Sequence, residues 1–109
     1  MPIRSQIEKA VEVCAAGGII AYPTEYCFGL GCDPLNETAV RRILTLKRRS
    51  WTKGLIVITD DVRRLRRLID YSDSSSLTAP FASWPGPHTW LLPALTATPR
   101  WLRGQHDTL

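Results

Sequence analysis

Tyr22-Pro23-Thr24-Glu25-Tyr26-Cys27-Phe28-Gly29-Leu30-Gly31-Cys32-Asp33-Pro34 decides how this 109-residue chain is read. It carries the short apolar run Ile19-Ile20-Ala21-Tyr22 into a polar turn that contains glycine. Four consecutive apolar residues suit a strand buried on both faces. Pro23 ends it, because it has no backbone donor and disfavours helix in the residue before it. Upstream, residues 5–16 place Ile7, Ala10, Val11 and Cys14 at helical spacing, with Glu8, Lys9 and Glu12 elsewhere, and Gly17-Gly18 stops the helix. Downstream, Asn36 is a good N-cap and Glu37 suits the positive helix end. Ala39, Val40, Ile43 and Leu44 then form one apolar stripe, which predicts a second helix over 37–48.

Gly54-Leu55-Ile56-Val57-Ile58-Thr59 reads as a second buried strand, and Asp60 or Asp61 as the cap of a third helix turning Val62, Leu65, Leu68 and Ile69 inward. Residues 72–76 are a polar break, and Thr89-Trp90-Leu91-Leu92 suits a further strand. Residues 93–109 show no clear period, and no internal repeat is visible. Helices alternating with apolar strands predict one α/β domain over 1–109, a twisted mixed sheet with flanking helices. Three evident strands make that sheet thin.

Composition narrows the class. At 44% apolar residues the chain has a modest core of its own. It contains no run of about 18 apolar residues, and Met1-Pro2-Ile3-Arg4-Ser5-Gln6 lacks the features of a signal peptide, so neither a membrane span nor export is expected and the cytoplasm is the default. Cys14, Cys27 and Cys32 form no Cys-x-x-Cys pair, and His88 and His106 lie far from them, so reduced, structural cysteines and no metal site are expected. The net charge of +4 is uneven: residues 41–67 hold ten basic and two acidic side chains. That segment favours an anionic partner, nucleotide phosphates or RNA, unless its arginines only solvate helix faces.

Four groups of residues are chemically suggestive. Thr24 and Glu25 leave the C-terminal end of a strand, the edge where open α/β sheets place ligands. A threonine hydroxyl there suits a small polar substrate and a carboxylate suits an amine, while a turn in which both satisfy local backbone is the plainer alternative. Gly29 and Gly31 suit a loop that wraps a ligand, but lack the pattern of a dinucleotide fingerprint or a P-loop. Lys47 and Arg49 stand at a helix C-terminus, where the dipole favours cations, and equally suit a clamp on a polyphosphate. Trp84-Pro85-Gly86-Pro87 reads as a rigid corner or as a wall of the site. His88 has no nucleophile partner, and no triad or metal-binding histidine pair is present, so no protein residue is assigned as catalytic.

Taken together, these segments resemble the YrdC/TsaC family of threonylcarbamoyl-AMP synthases. The matching pieces are Ala21-Tyr22-Pro23-Thr24-Glu25, Phe28-Gly29-Leu30-Gly31-Cys32-Asp33-Pro34, Glu37-Thr38-Ala39-Val40, Leu46-Lys47-Arg48-Arg49, Lys53-Gly54-Leu55-Ile56, Trp84-Pro85-Gly86-Pro87-His88-Thr89 and Pro99-Arg100-Trp101-Leu102. The resemblance implies a YrdC-like fold, incomplete at the C-terminal side, and a nucleotidyltransferase that joins L-threonine, bicarbonate and ATP into threonylcarbamoyl-AMP and pyrophosphate. It implies that Thr24 lies against the threonine substrate and that Lys47 and Arg49 hold ATP phosphates, with Mg2+ accompanying the nucleotide. It also implies a place in tRNA N6-threonylcarbamoyladenosine synthesis at position 37, with tRNA or double-stranded RNA and a downstream tRNA threonylcarbamoyl-transfer complex as partners. Tyr26-Cys27 and Ser50 depart from the family's usual residues. A non-catalytic RNA- or nucleotide-binding module, or an inactive fragment of the enzyme, is the alternative reading.

Overall fold

Asn36 starts the second helix of the chain. In a computed structural model, which describes residues 4–24, 27–72, 77–86 and 88–109, its Oδ1 accepts from the Ala39 amide at 3.0 Å and caps helix α2, Glu37–Lys47. Ala39, Val40, Ile43 and Leu44 are buried along it, the stripe expected from their spacing, and the exposed side carries an ion pair between Glu37 and Arg41. Helix α1, Arg4–Ala15, also forms where the spacing places it, but the burial expected of its apolar face does not follow. Ile7 is 52% and Val11 63% exposed, and no residue of α1 is buried.

The chain divides into two compact units, residues 1–49 and 50–109. In the first, strand β1, Ile20–Pro23, pairs antiparallel with β2, Phe28–Gly31, in the register Ile20↔Gly31, Ala21↔Leu30, Tyr22↔Gly29 and Pro23↔Phe28. Residues 28–31, expected in a ligand-wrapping loop, are therefore a strand. Pleating puts Ile20, Tyr22, Gly29 and Gly31 on one half-buried face and Ala21, Pro23, Phe28 and Leu30 on the other, which is exposed. β1 is thus covered on one side, where burial on both was expected. A β-carbon added to Gly31 would come within 2.8 Å of the Tyr22 ring, and one added to Gly29 within 3.1 Å, so the two glycines make room for that ring.

The second unit is held mainly by loops and short turns. Ser50 caps a 3-10 turn, Trp51–Lys53, and Asp61 caps another, Val62–Leu65, by accepting from the Arg63 amide at 2.9 Å. The cap at Asp61 lies where the sequence places it, but a third long helix does not form. Leu65, Leu68 and Ile69 are buried as expected, yet at Ile69 the backbone bridges to Ala94 and Asp70 donates to Pro93. Cross-chain pairing has replaced the next helical turn. Residues 92–94 also pair with 107–109, through reciprocal bonds between Leu92 and Leu109 and an amide bond from Ala94 to Asp107. The strand expected at 89–92 begins pairing only at Leu92. Helices α3, Thr78–Ser83, and α4, Arg100–Arg103, are additional to the expected elements.

The strand expected at 54–59 has no ladder. Leu55 donates to Leu102, but the backbone of Ile56, Val57 and Ile58 makes no hydrogen bond among the described residues, and Ile56 and Ile58 are 78% and 67% exposed. β-branched composition makes a segment ready to pair without supplying its partner. The architecture is α/β, as expected, with every strand pairing among the described residues antiparallel.

Arg103 organises the C-terminal loops of this unit. Its guanidinium is buried and donates to the carbonyls of Thr98 at 3.0 Å, His106 at 3.2 Å and Thr96 at 3.3 Å. Planar donors aimed at three carbonyls answer the desolvation cost of burying the charge. Among the described residues no helix is long and apolar enough to cross a membrane. Residues 73–76 of the expected polar break and the N-terminal Met1, Pro2 and Ile3 lie outside the described residues.

Candidate functional site

All three residues singled out for ligand contact, Thr24, Lys47 and Arg49, belong to the first unit. Pro23 ends β1, so Thr24 is the first residue beyond the strand. Its hydroxyl donates to the Cys27 carbonyl at 2.5 Å and accepts from the Cys27 amide at 3.0 Å, while its own amide also donates to that carbonyl. For Thr24 this is the plainer reading, a side chain that satisfies local backbone. Its effect is to fix the hydroxyl: the single proton is directed into the turn, which orients Oγ1 as an acceptor. Glu25, paired with Thr24 in the sequence reading, lies outside the described residues.

Lys47 is the last residue of α2, is exposed, and makes no ion pair among the described residues. The chain then reverses in a Schellman turn. Arg48, at φ +51°, is the left-handed residue, its amide donating to Thr45 and that of Arg49 to Leu44. The same turn closes α1, where Gly17 at φ +84° donates to Cys14 and Gly18 donates to Val13. An arginine thus occupies a backbone conformation that α1 gives to glycine. A left-handed non-glycine residue costs roughly 1 kcal/mol, and such strain concentrates at functional sites. Sequence reasoning missed this position. The one signal was that Lys47-Arg48-Arg49 ends a helix with no glycine or asparagine after it. Arg48→Gly should raise unfolding stability by about 0.5–1 kcal/mol in chemical denaturation, with no gain expected if the strain is absent.

Some of the other cations of residues 41–67 are held in ion pairs. Arg63 pairs with Asp61 and Arg64 with Asp60, and the Arg63 side chain is the main cause that holds the Asp61 carboxyl down at about 2. Part of the basic segment is therefore engaged in surface ion pairs. The Cys32 thiol is pushed up by burial first, then by nearby Cys14 and Asp33, which keeps it protonated. Among the described residues, no group of three His, Cys, Asp or Glu could hold a metal ion.

The tryptophan motif lies in the second unit and forms a corner. The Trp84–Pro85 peptide is cis, Trp84 Nε1 donates to the His88 carbonyl at 2.8 Å, and the His88 amide donates to Gly86 at 2.9 Å. Trp90 Nε1 braces it by donating to Ser83 Oγ at 2.8 Å. Pro87 lies outside the described residues.

A family model named for Sua5, YciO and YrdC, with the description "Telomere recombination", matches residues 12–109. A threonylcarbamoyl-AMP synthase of Xanthomonas campestris pv. campestris (strain B100) is 50% identical over 111 residues, covering 100% of this chain and 59% of that protein. One from Methylococcus capsulatus is 49% identical over 104 residues, covering 95% of this chain and 56% of its own length. Among solved structures, P. abyssi Sua5 complexed with L-threonine superposes on 100% of this chain and 32% of its own, with a TM-score of 0.86 and 31% identity. E. coli YciO does so over 100% and 53%, with a TM-score of 0.78 and 25% identity. The chain thus spans under two thirds of the length of these relatives.

Proposed function

The chain belongs to the Sua5/YciO/YrdC family, and from that premise we propose that it carries the threonine- and phosphate-contacting part of a threonylcarbamoyl-AMP synthase. In this reading residues 1–109 are part of one YrdC-like domain. Thr24 meets the threonine substrate, and Lys47 and Arg49 hold the ATP phosphates. The observation that supports it most is the placing of these residues in one compact unit: Thr24 follows the end of β1, and two cations flank the strained left-handed residue that closes α2.

The chemistry suits a site without a protein nucleophile. The threonine amine attacks bicarbonate and water leaves, giving a carbamate. A carbamate oxygen then attacks the α-phosphorus of ATP, the bond to the β-phosphate breaks, and pyrophosphate departs. Positioning and neutralisation of negative charge are what the protein must supply. An Arg fork and a mobile Lys ammonium provide the charge, and a hydroxyl whose proton is held by Cys27 accepts from a substrate N–H or O–H. Mg2+ would come with ATP, bound through the phosphates themselves. The product would serve tRNA N6-threonylcarbamoyladenosine synthesis through a downstream transfer complex, which places the reading in the cytoplasm.

The alternative, a non-catalytic RNA- or nucleotide-binding module, draws on the basic segment 41–67, but Arg63 and Arg64 are already paired with acids. Pyrophosphate release from ATP, bicarbonate and the folded chain, with and without L-threonine, separates the two. Threonine-dependent release is expected. Release that ignores threonine, or none at all, would overturn the reading of this chain as an enzyme.

A further inference from the structure

Lys47 and Arg49 are two residues apart, and on a continuous α-helix that spacing would turn them about 200° from each other, on opposite sides of the axis, where they do not share a ligand. The chain does not continue the helix. Arg48 takes φ +51° and ψ +43°, its amide returns to the Thr45 carbonyl at 3.1 Å, and the Arg49 amide returns to the Leu44 carbonyl at 2.9 Å. Arg49 is thereby folded back over the carbonyl end of α2, the end at which Lys47 is the last helical residue. Both cations then stand where the helix dipole favours them. Arg48 itself is exposed and takes part in no ion pair among the described residues, so no charge pairing of its side chain offsets the left-handed conformation.

We propose that Arg48 is a positioning residue: its left-handed backbone, and not its charge, is what lets Lys47 and Arg49 act on one polyphosphate. The inference rests on the reading of Lys47 and Arg49 as the contacts to ATP, and adds the backbone feature that makes two cations at this spacing work together. A helix stop of no functional consequence would use the same turn, but it would leave the two cations independent of each other. The difference is a coupling between positions 47 and 48 in nucleotide affinity, which a role confined to ending the helix does not produce.

The test is a titration of ATP into the parent chain and a series at position 48, each variant first shown to be folded by circular dichroism. Arg48→Gly, Arg48→Ala and Arg48→Val remove the same charge and differ in how well they accept a left-handed backbone, glycine best and the β-branched valine worst. Arg48→Gly should stay within about threefold of the parent's affinity, Arg48→Val should lose about 10-fold or more, and Arg48→Ala, the milder change, should fall between them. Lys47→Ala should then cost several-fold less in the Arg48→Val background than in the parent, because the two cations no longer act together. If Arg48→Gly binds as weakly as Arg48→Val, the charge of Arg48 is what matters and the proposal is overturned. Affinity that does not follow the order of the series, or an equal cost of Lys47→Ala in both backgrounds, would overturn it too. A parent chain that binds no ATP would overturn the reading of the cations as an ATP site, and this inference with it.

Discussion

Gly104→Ala is expected to remove about 3 kcal/mol or more of stability, a large share of the roughly 5–15 kcal/mol that holds a domain folded. Gly104 follows α4 at φ +62° and ψ −131°, a conformation that a side chain strains. A β-carbon there would lie 2.3 Å from the Thr52 carbonyl oxygen and 2.6 Å from the Gly54 nitrogen. Both are backbone atoms of the Trp51–Lys53 turn or its cap, so neither can move aside as a side-chain tip could. Relief requires separating α4 from that turn, which breaks the amide bonds from Leu55 to Leu102 and from Gln105 to Thr52. Gln105→Ala, next in sequence and exposed, keeps its backbone bond and should stay within about 0.5 kcal/mol of the parent. Urea midpoints of the two variants measure the difference. A Gly104→Ala midpoint equal to the parent's would mean that α4 and the turn are not packed this closely.

What could be read in the sequence was what depends on nearby residues. Asn36, Glu37 and the stripe from Ala39 to Leu44 specify α2 through its own cap and its own period, and the structure has all of them. β1 was equally legible from Ile19-Ile20-Ala21-Tyr22 and Pro23. β2 was not, because Phe28-Gly29-Leu30-Gly31 carries glycines that read as a loop until the Tyr22 ring is seen lying across them. The segment 54–59 shows the converse. Its propensity for strand was plain, but whether a strand forms depends on a partner that no local pattern reveals. The turn at Asp61 was recognised by its cap, and its length was then decided by the competing bridge from Ile69 to Ala94. Arg103 reads as one more surface cation, and the carbonyls of Thr96, Thr98 and His106, with the Asp107 carboxylate at 3.6 Å, explain why it is buried. At the candidate site Thr24, Lys47 and Arg49 were singled out through family motifs. The left-handed conformation of Arg48 between the two cations was not, since nothing in Lys-Arg-Arg demands it.

Lys47→Ala is expected to lower ATP affinity by about 100-fold, the scale of removing one charge-assisted hydrogen bond to a phosphate together with the positive charge behind it. Lys47 is exposed at the end of α2 and takes part in no ion pair among the described residues, so its removal leaves the helix cap and the buried stripe as they are. A loss confined to nucleotide is what distinguishes a clamp from a generally basic surface. On a basic surface one lysine among the ten cations of residues 41–67 neutralises about one phosphate, and its removal lowers the salt slope of RNA binding by about 1. The most direct test is to titrate ATP, and separately RNA over a range of salt, into the parent chain and the Lys47→Ala variant. ATP binding should collapse while RNA binding falls only slightly. Equal weakening of both, or unchanged ATP affinity, would contradict the assignment of Lys47 to a polyphosphate site.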